Sequence, residues 1–348
     1  MSRSICRTAA FVCALLAAAA LAAPTKPLAL PSKQWTITQL PGLGGVGAEA
    51  MALNDRGDIV GQSFVFDPST SNWHPRVTRW INGVPEDLGA GQAWDVNDHG
   101  TIAGSVFPTL ESLWRDGAWR GLGVGTPGFP LFVNKSDMVA SSFPFIGGPQ
   151  HAYTFRDGVL ADLGTLGGTE SQSFALNDRG EVVGFARTAG NSAIHPFLHD
   201  GASMKDLGTM GRAQGKAVDI NNHGIVVGYV SDLFDGFPVA FVHDGTMRPL
   251  IQGGACCTVP SGINDRGDVI GAIDGAGAFL LEDGELTRLD QLPAVRAAGW
   301  TQLLPTDINN RGWIVGRGLM NKPLAPGEWP FKAFVLKPNQ GRPAGPVP

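Results

Sequence analysis

"ALNDRGDIVG" at residues 52–61 and "ALNDRGEVVG" at 175–184 share eight of ten letters across 123 residues of chain. The word returns, loosened, wherever an asparagine heads it: Asn54, Asn97, Asn134, Asn177, Asn221, Asn264 and Asn309, spaced by 43, 37, 43, 44, 43 and 45 residues. A period of this length marks a supersecondary unit that can bury its apolar face only against copies of itself. The asparagine oxygen can accept from its own backbone two residues on, and the glycine three places later supplies a positive φ, so each word reads as a tight turn. "SQSFALN" before the turn alternates and "EVVG" after it is β-branched, which gives strand, turn, strand. The third word, "NKSDMVAS" at 134–141, lacks both glycines, and Pro127 and Pro130 crowd the strand before it. A distorted unit is expected there.

A second word follows the first, as in "HAYTFRDGVLADLGTLGG" at 151–168 and "HPFLHDGASMKDLGTMG" at 195–211. Asp-Gly between apolar runs is a strong hairpin signal, because both residues tolerate the positive φ of a two-residue turn. Such dipeptides stand at Asn82-Gly83, Asp116-Gly117, Asp157-Gly158, Asp200-Gly201, Asp244-Gly245 and Asp283-Gly284. Four short strands in about 43 residues is the blade length of a β-propeller. The last unit stops after "FKAFVLKP" at 331–338, one strand short, while "WTITQLPGLGG" at 35–45 matches "VLADLGTLGG" at 159–168. The sequence therefore predicts an all-β chain: a seven-bladed β-propeller of four-stranded repeats over 35–337, closed by the N-terminal strand completing the last blade. Residues near Thr36 are expected beside Ala333.

The two words together resemble the HAF-type repeat family of extracellular bacterial proteins. The His-Ala-Phe element departs from the pattern, standing as "HAY" at 151 and "HPF" at 195. The resemblance spans about residues 35–337. It implies secretion and a propeller-like β-fold, and it carries over no catalytic residue.

The N-terminus agrees with secretion. Arg3 and Arg7 precede the apolar "TAAFVCALLAAAALA", and "ALA" at 20–22 offers a cleavage site, so 1–22 reads as a signal peptide. The apolar run is too short for a membrane span and is followed at once by Pro24. A linker (23–34) and a Pro/Gly-rich tail (338–348) flank the repeats. The expectation is a secreted or periplasmic monomer with no span in the mature chain. A net charge of −5 argues against nucleic acid as partner. Cys256 and Cys257 are adjacent, so they read as a vicinal disulfide or a packed thiol pair within one loop. No further ligands stand at metal-binding spacing, and no metal or cofactor is expected.

In a propeller of this connectivity the Asn-turns and Asp-Gly turns share one face and read as structural. A calcium role would suit their oxygens, but no Asp ladder is present. The opposite face takes the long loops "SFVFDPSTSNWHPRV" (63–77), "SDLFDGFP" (231–238) and "GLMNKPLAPGEWP" (318–330), with Trp73, His74, Phe234 and Trp329. Polar residues entering the innermost strands, namely Glu49, Gln92, Glu170, Gln172, Gln214, Lys216 and Gln302 beside Trp300, are expected at the rim of the central channel. Aromatics with amides and carboxylates suit a sugar or peptide surface. The leading reading is a non-enzymatic binding module for a polysaccharide or an extracellular or envelope protein. One alternative is a polysaccharide hydrolase using Glu49 and Glu170, or a lyase using His74 with Lys216. The other is a structural envelope or matrix component. No nucleophile elbow, phosphate loop or His-Glu-x-x-His helix is present.

Overall fold

A computed structural model of the chain describes residues 34–124, 130–144, 149–232, 237–251, 257–273, 277–322 and 329–339. The expected signal peptide and most of the tail, together with Phe234 and Cys256, lie outside the described residues. Strand β1 (Trp35–Gln39) stands alone at the start. The first repeat follows as β2 (Gly47–Leu53), β3 (Ile59–Asp67), β4 (Asn72–Ile81) and the first part of β5 (Val84–Val96). The rest of β5 opens the second repeat, continued by β6 (Ile102–Val106), β7 (Leu110–Arg115) and β8 (Ala118–Gly121). Next come β9 (Phe132–Val133), β10 (Val139–Pro144), β11 (Gln150–Arg156) and β12 (Val159–Asp162). The fourth repeat is β13 (Gly167–Leu176), β14 (Val182–Thr188), β15 (Ile194–His199) and β16 (Met204–Asp206). The fifth is β17 (Gln214–Ile220), β18 (Val226–Ser231), β19 (Val239–His243) and β20 (Met247–Pro249). The sixth is β21 (Thr258–Ile263), β22 (Val269–Ile273), β23 (Gly277–Glu282) and β24 (Glu285–Arg288). A short helix α1 (Pro293–Ala297) precedes β25 (Trp300–Ile308), β26 (Ile314–Met320) and β27 (Lys332–Pro338).

Within every repeat consecutive strands pair antiparallel. The last sheet runs β25-β26-β27-β1, so the first strand of the chain lies on its last. The register is Thr36↔Lys337 through Gln39↔Phe334, and Leu40 N donates to Ala333 O at 2.9 Å. The expected neighbours are found, with Leu40 rather than Thr36 opposite Ala333.

Each Asn-turn is built alike. In the first, Gly57 N donates to Asn54 O at 3.1 Å and Gly57 takes φ +95°. The Asn54 side-chain oxygen accepts from the backbone N–H of Arg56, Gly57 and Asp58 at 2.9–3.1 Å. The third turn is not distorted: Asp137 stands at φ +57° in the glycine place and donates to Asn134 O at 3.0 Å. The strand before it is shortened instead, to the two residues of β9. Of the Asp-Gly type turns, those at 82–83, 116–117, 157–158 and 283–284 have both residues at positive φ. That is the turn whose twist matches paired strands.

The asparagines also join the repeats. The side-chain amide of each donates to the backbone oxygen of the next, Asn54→Asn97→Asn134→Asn177→Asn221→Asn264→Asn309, and Asn309 donates to Asn54, all at 2.8–3.1 Å. All seven are buried. A buried amide left without partners costs free energy, so one side chain satisfies its own turn and its neighbour's end carbonyl together. Apolar faces pack between repeats in the same way: Leu40, Ala50, Leu53, Ile59 and Trp80 share one cluster with Val315, Ala333 and Val335 from the other end of the chain.

Where a word ends in glycine, that glycine serves packing, not the turn. A Cβ on Gly184 would lie 1.8 Å from the Gln172 oxygen; Gly61, Gly228, Gly271 and Gly316 approach Glu49, Lys216, Val259 and Leu304 oxygens at 2.0–2.2 Å. These contacts flank a bulge in the innermost strand. The register skips one residue, leaving Met51, Trp94, Phe174, Val218, Ser261 and Thr306 without a partner on the second strand. A bulge of this kind turns the following side chains to the opposite face from simple alternation.

Candidate functional site

The bulged residues face a central cavity of about 260 Å³. On its short-turn side, the second letters of the Asn words form a ring: Asp55, Asp98, Lys135, Asp178, Asn222, Asp265 and Asn310. Lys135 Nζ lies 3.1 Å from both Asp98 and Asp178. Asn222 Nδ2 bridges Asp178 and Asp265 at 2.9 and 3.2 Å, and Asn310 Nδ2 bridges Asp265 and Asp55 at 3.0 and 2.8 Å. Donors and acceptors cannot alternate around an odd ring, so two of one kind must be neighbours, and here they are acids. They are Asp55 and Asp98, joined only through the Asp55 backbone N–H at 2.8 Å.

Three further carboxylates line the same cavity, each two residues before its asparagine. Asp95, Asp219 and Asp307 each accept from the next residue's N–H and from the following repeat, at Val133, Ile263 and Leu53, all at 2.7–2.8 Å. Removal from bulk water pushes them up to about 6, 8 and 7, against the lowering effect of those N–H bonds. Asp219 is raised further by Asp307 and Asp95, and Asp307 by Asp95 and Asp55. Sequence reasoning missed this set. The signal was present as "DVN" at 95–97 and "DIN" at 219–221 and 307–309. Among the described residues no cluster of three His, Cys, Asp or Glu is placed to hold a metal ion.

The residues expected at the channel rim have these surroundings. Glu49 is 5% exposed; its oxygens accept from Arg317 Nη1 at 3.0 Å and Gln62 Nε2 at 2.8 Å. Glu170 accepts from Arg187 Nε at 2.8 Å. Gln214 Nε2 meets Ser231 Oγ at 3.3 Å. Gln92, Gln172 and Gln302 are half-buried on β5, β13 and β25, opposite Ser105, Phe185 and Leu319. Lys216 reaches over the Phe185 and Phe174 rings, 4.6 and 5.7 Å from their centroids. Burial lowers its ammonium pKa, partly offset by Glu170. His74 Nε2 lies 2.7 Å from Thr70 Oγ1. No hydrogen bond links any two of Glu49, Glu170, His74 and Lys216. Trp300, grouped with the loop face on sequence, is a core residue, 4% exposed and edge-on to Phe334. Cys257 is half-buried at φ +66°. His151 and His195 each meet the Asp of the following Asp-Leu-Gly, Asp162 and Asp206, at 2.8–3.0 Å. The two words are thus two ends of one cross-strand contact.

The long loops carry the other feature. Every strongly exposed aromatic among the described residues, Phe66, Trp73, Phe107, Phe237 and Trp329, lies where second and third strands connect. Trp73 pairs with Phe66 across the β3–β4 hairpin, ring centroids 5.2 Å apart, and Trp329 lies 5.3 Å from Phe64. Trp73 walls a cleft of about 480 Å³ with Gln39, Lys332 and the loop Gly42–Gly47. The glycines are needed for closeness: a Cβ on Gly45 would meet Phe64 O at 1.7 Å, and one on Gly47 would meet Trp329 Cβ at 2.8 Å. Lys332 Nζ donates to Val46 O and Trp329 O at 3.2 and 3.1 Å, holding loop and tryptophan together.

No family model matches the chain, and no curated protein does. Among solved structures the chain is similar to virginiamycin B lyase from Staphylococcus aureus, at 11% identity and TM-score 0.53, over 87% of this chain and 99% of that one. It is similar to a fungal alcohol oxidase of the AA5 family in complex with copper, at 11% identity and TM-score 0.52, over 88% and 76%. TolB from Acinetobacter baumannii follows at 11% identity and TM-score 0.45; the chain covers 64% of that structure's length. The structural neighbours are propeller-type folds, so this all-β chain of antiparallel sheets has a β-propeller-type fold. At such identity the likeness extends to the fold alone. Among the described residues no helix is long and apolar enough to cross a membrane.

Proposed function

We propose that the protein is a secreted, HAF-type, seven-bladed β-propeller, closed by β1 on β27, that binds an extended carbohydrate through its loop face without transforming it. The observation that carries the reading is the segregation of the aromatics. Phe66, Trp73, Phe107, Phe237 and Trp329 all stand where second and third strands connect, whereas the centre of the short-turn side carries the hydrogen-bonded polar ring. Exposed flat rings above amide and backbone groups suit the apolar face and hydroxyls of a sugar. The cycle of asparagine bonds and the β1–β27 pairing support seven blades and closure. Glu49 and Glu170 are each committed to an arginine, which favours binding over hydrolysis.

The test is a glycan array on the full chain, with parallel assays for new reducing ends and unsaturated products. Binding without product is expected, weakened tenfold or more by Trp73→Ala. No glycan binding, binding indifferent to Trp73→Ala and Trp329→Ala, or turnover would overturn the reading.

A further inference from the structure

We infer that Lys216 is the cation that receives a carboxylate of an acidic sugar ligand, at the edge between the fourth and fifth repeats. This rests on the carbohydrate reading above and narrows it to uronate-bearing glycans.

Charged side chains near the loop-side ends of the innermost strands differ in how they are paired. Each such strand runs into its Asn-turn on the short-turn face, so residues early in the strand lie towards the loops. In the first repeat Glu49 has Arg317 at 3.0 Å. In the fourth, Glu170 has Arg187 at 2.8 Å. In the fifth, Lys216 stands in the first half of β17 with no carboxylate within 4.0 Å among the described residues. Its neighbours are the faces of Phe185 and Phe174, with Tyr229 opposite on β18. Lys216, Arg187 and Glu170 together leave one net positive charge beside aromatic surface.

A half-buried ammonium over rings retains a cation–π attraction but has given up water, and an anion in the same slot would restore a strong partner. Burial already lowers the Lys216 pKa, so a bound carboxylate gains by returning it upward. Half-buried Phe174 offers the apolar wall that a sugar ring needs, with Gln172 two residues before it on β13 and Gln214 at the start of β17. The acidic ring and the Asp95, Asp219 and Asp307 set line the cavity on the short-turn side. An anionic ligand is therefore repelled from that side and admitted only from the loops.

The test uses D-glucuronate as the probe and D-glucose as its neutral control. Lysines of the full chain are labelled with acetic anhydride and quantified by peptide mass spectrometry. The expected result is at least fivefold protection of Lys216 by glucuronate and none by glucose. Lys216→Gln should lose glucuronate binding by calorimetry, while Lys216→Arg keeps it within threefold. Equal protection by both sugars, no protection by either, or full binding by Lys216→Gln overturns the inference. If glucuronate protects Lys216 but no polysaccharide binds the loop face, the carbohydrate-module reading fails while the anion site stands. If neutral glycans bind as well as uronate polymers and Lys216→Gln changes nothing, the reverse holds.

Discussion

The side-chain amide of Asn309 donates to the backbone oxygen of Asn54 at 2.9 Å, between residues 255 positions apart in the sequence. The bond is the same as those joining successive repeats, which differ only in spanning 37 to 45 residues. A bond that returns from the last asparagine to the first makes this set of hydrogen bonds cyclic.

Asn309→Ala should therefore cost as much as Asn177→Ala. Each removes a side chain that accepts from its own turn and donates to the next. Buried groups left unpaired cost about 1–3 kcal/mol apiece, so about 2–4 kcal/mol is expected for either variant in urea unfolding. An Asn309 variant that costs much less than the Asn177 variant would show that the chain ends do not meet in solution. Deleting residues 1–40 removes β1 and leaves β27 as an open edge. That variant should aggregate with rising concentration, which light scattering reads directly.

The channel carboxylates set a pH dependence opposite to the common one. Asp95, Asp219 and Asp307 are pushed up to about 6, 8 and 7 from the ordinary 3.8, mainly by burial. Between those limits the folded chain holds more protons than the unfolded one, so stability falls as pH rises. The contribution is complete below about pH 4 and is lost through pH 6–8. Acids with lowered values, such as Asp67 and Asp244, work the other way and weaken the fold only as pH drops below their ordinary range. The urea midpoint should thus be higher at pH 5 than at pH 8.5. Asp219→Asn should lower both midpoints and narrow the gap. A midpoint that is flat or rising over that range is the contrary outcome.

The glycines of the Asn word separate two physical roles that look alike in sequence. Gly180 sits at φ +81°, where an alanine is strained by about 1 kcal/mol. Gly184 has no positive φ, yet its missing Cβ leaves room for the Gln172 oxygen. Gly184→Ala must push two strands apart beside the bulge and should cost about 3 kcal/mol or more. Thermal melts of the two variants should rank in that order, and equal losses would contradict the close approach.

What the sequence revealed follows from what is local. The Asn period and the Asp-Gly turns are read from neighbouring residues, and the strands and their order follow. Two things depended on contacts between repeats. The asparagine amide was legible as a turn former, but its bond to the next repeat was not. The bulge at Met51, Trp94, Phe174, Val218, Ser261 and Thr306 reverses alternation just before each turn. Asp95, Asp219 and Asp307, each just past a bulge, therefore line the cavity. Trp300 looked like a surface aromatic because its partner Phe334 lies on another strand of the sheet.

Glu49 offers the sharpest separation of a structural acid from a catalytic one. It is buried, and it holds Arg317 Nη1 and Gln62 Nε2 at once. Arg317 is 38% exposed, so water can recover part of a lost partner. Glu49→Ala should destabilise by about 1–3 kcal/mol, since one buried amide and one partly buried guanidinium lose their acceptor. Arg317→Met alone strands the carboxylate instead, whereas the double variant removes both charges together. Its loss should be clearly smaller than the sum of the two single losses, the sign of direct coupling. Additive losses would mean that the pair does not form in solution. A Glu49→Gln chain of unchanged stability that had lost a glycan-cleaving activity would move Glu49 from scaffold to chemistry.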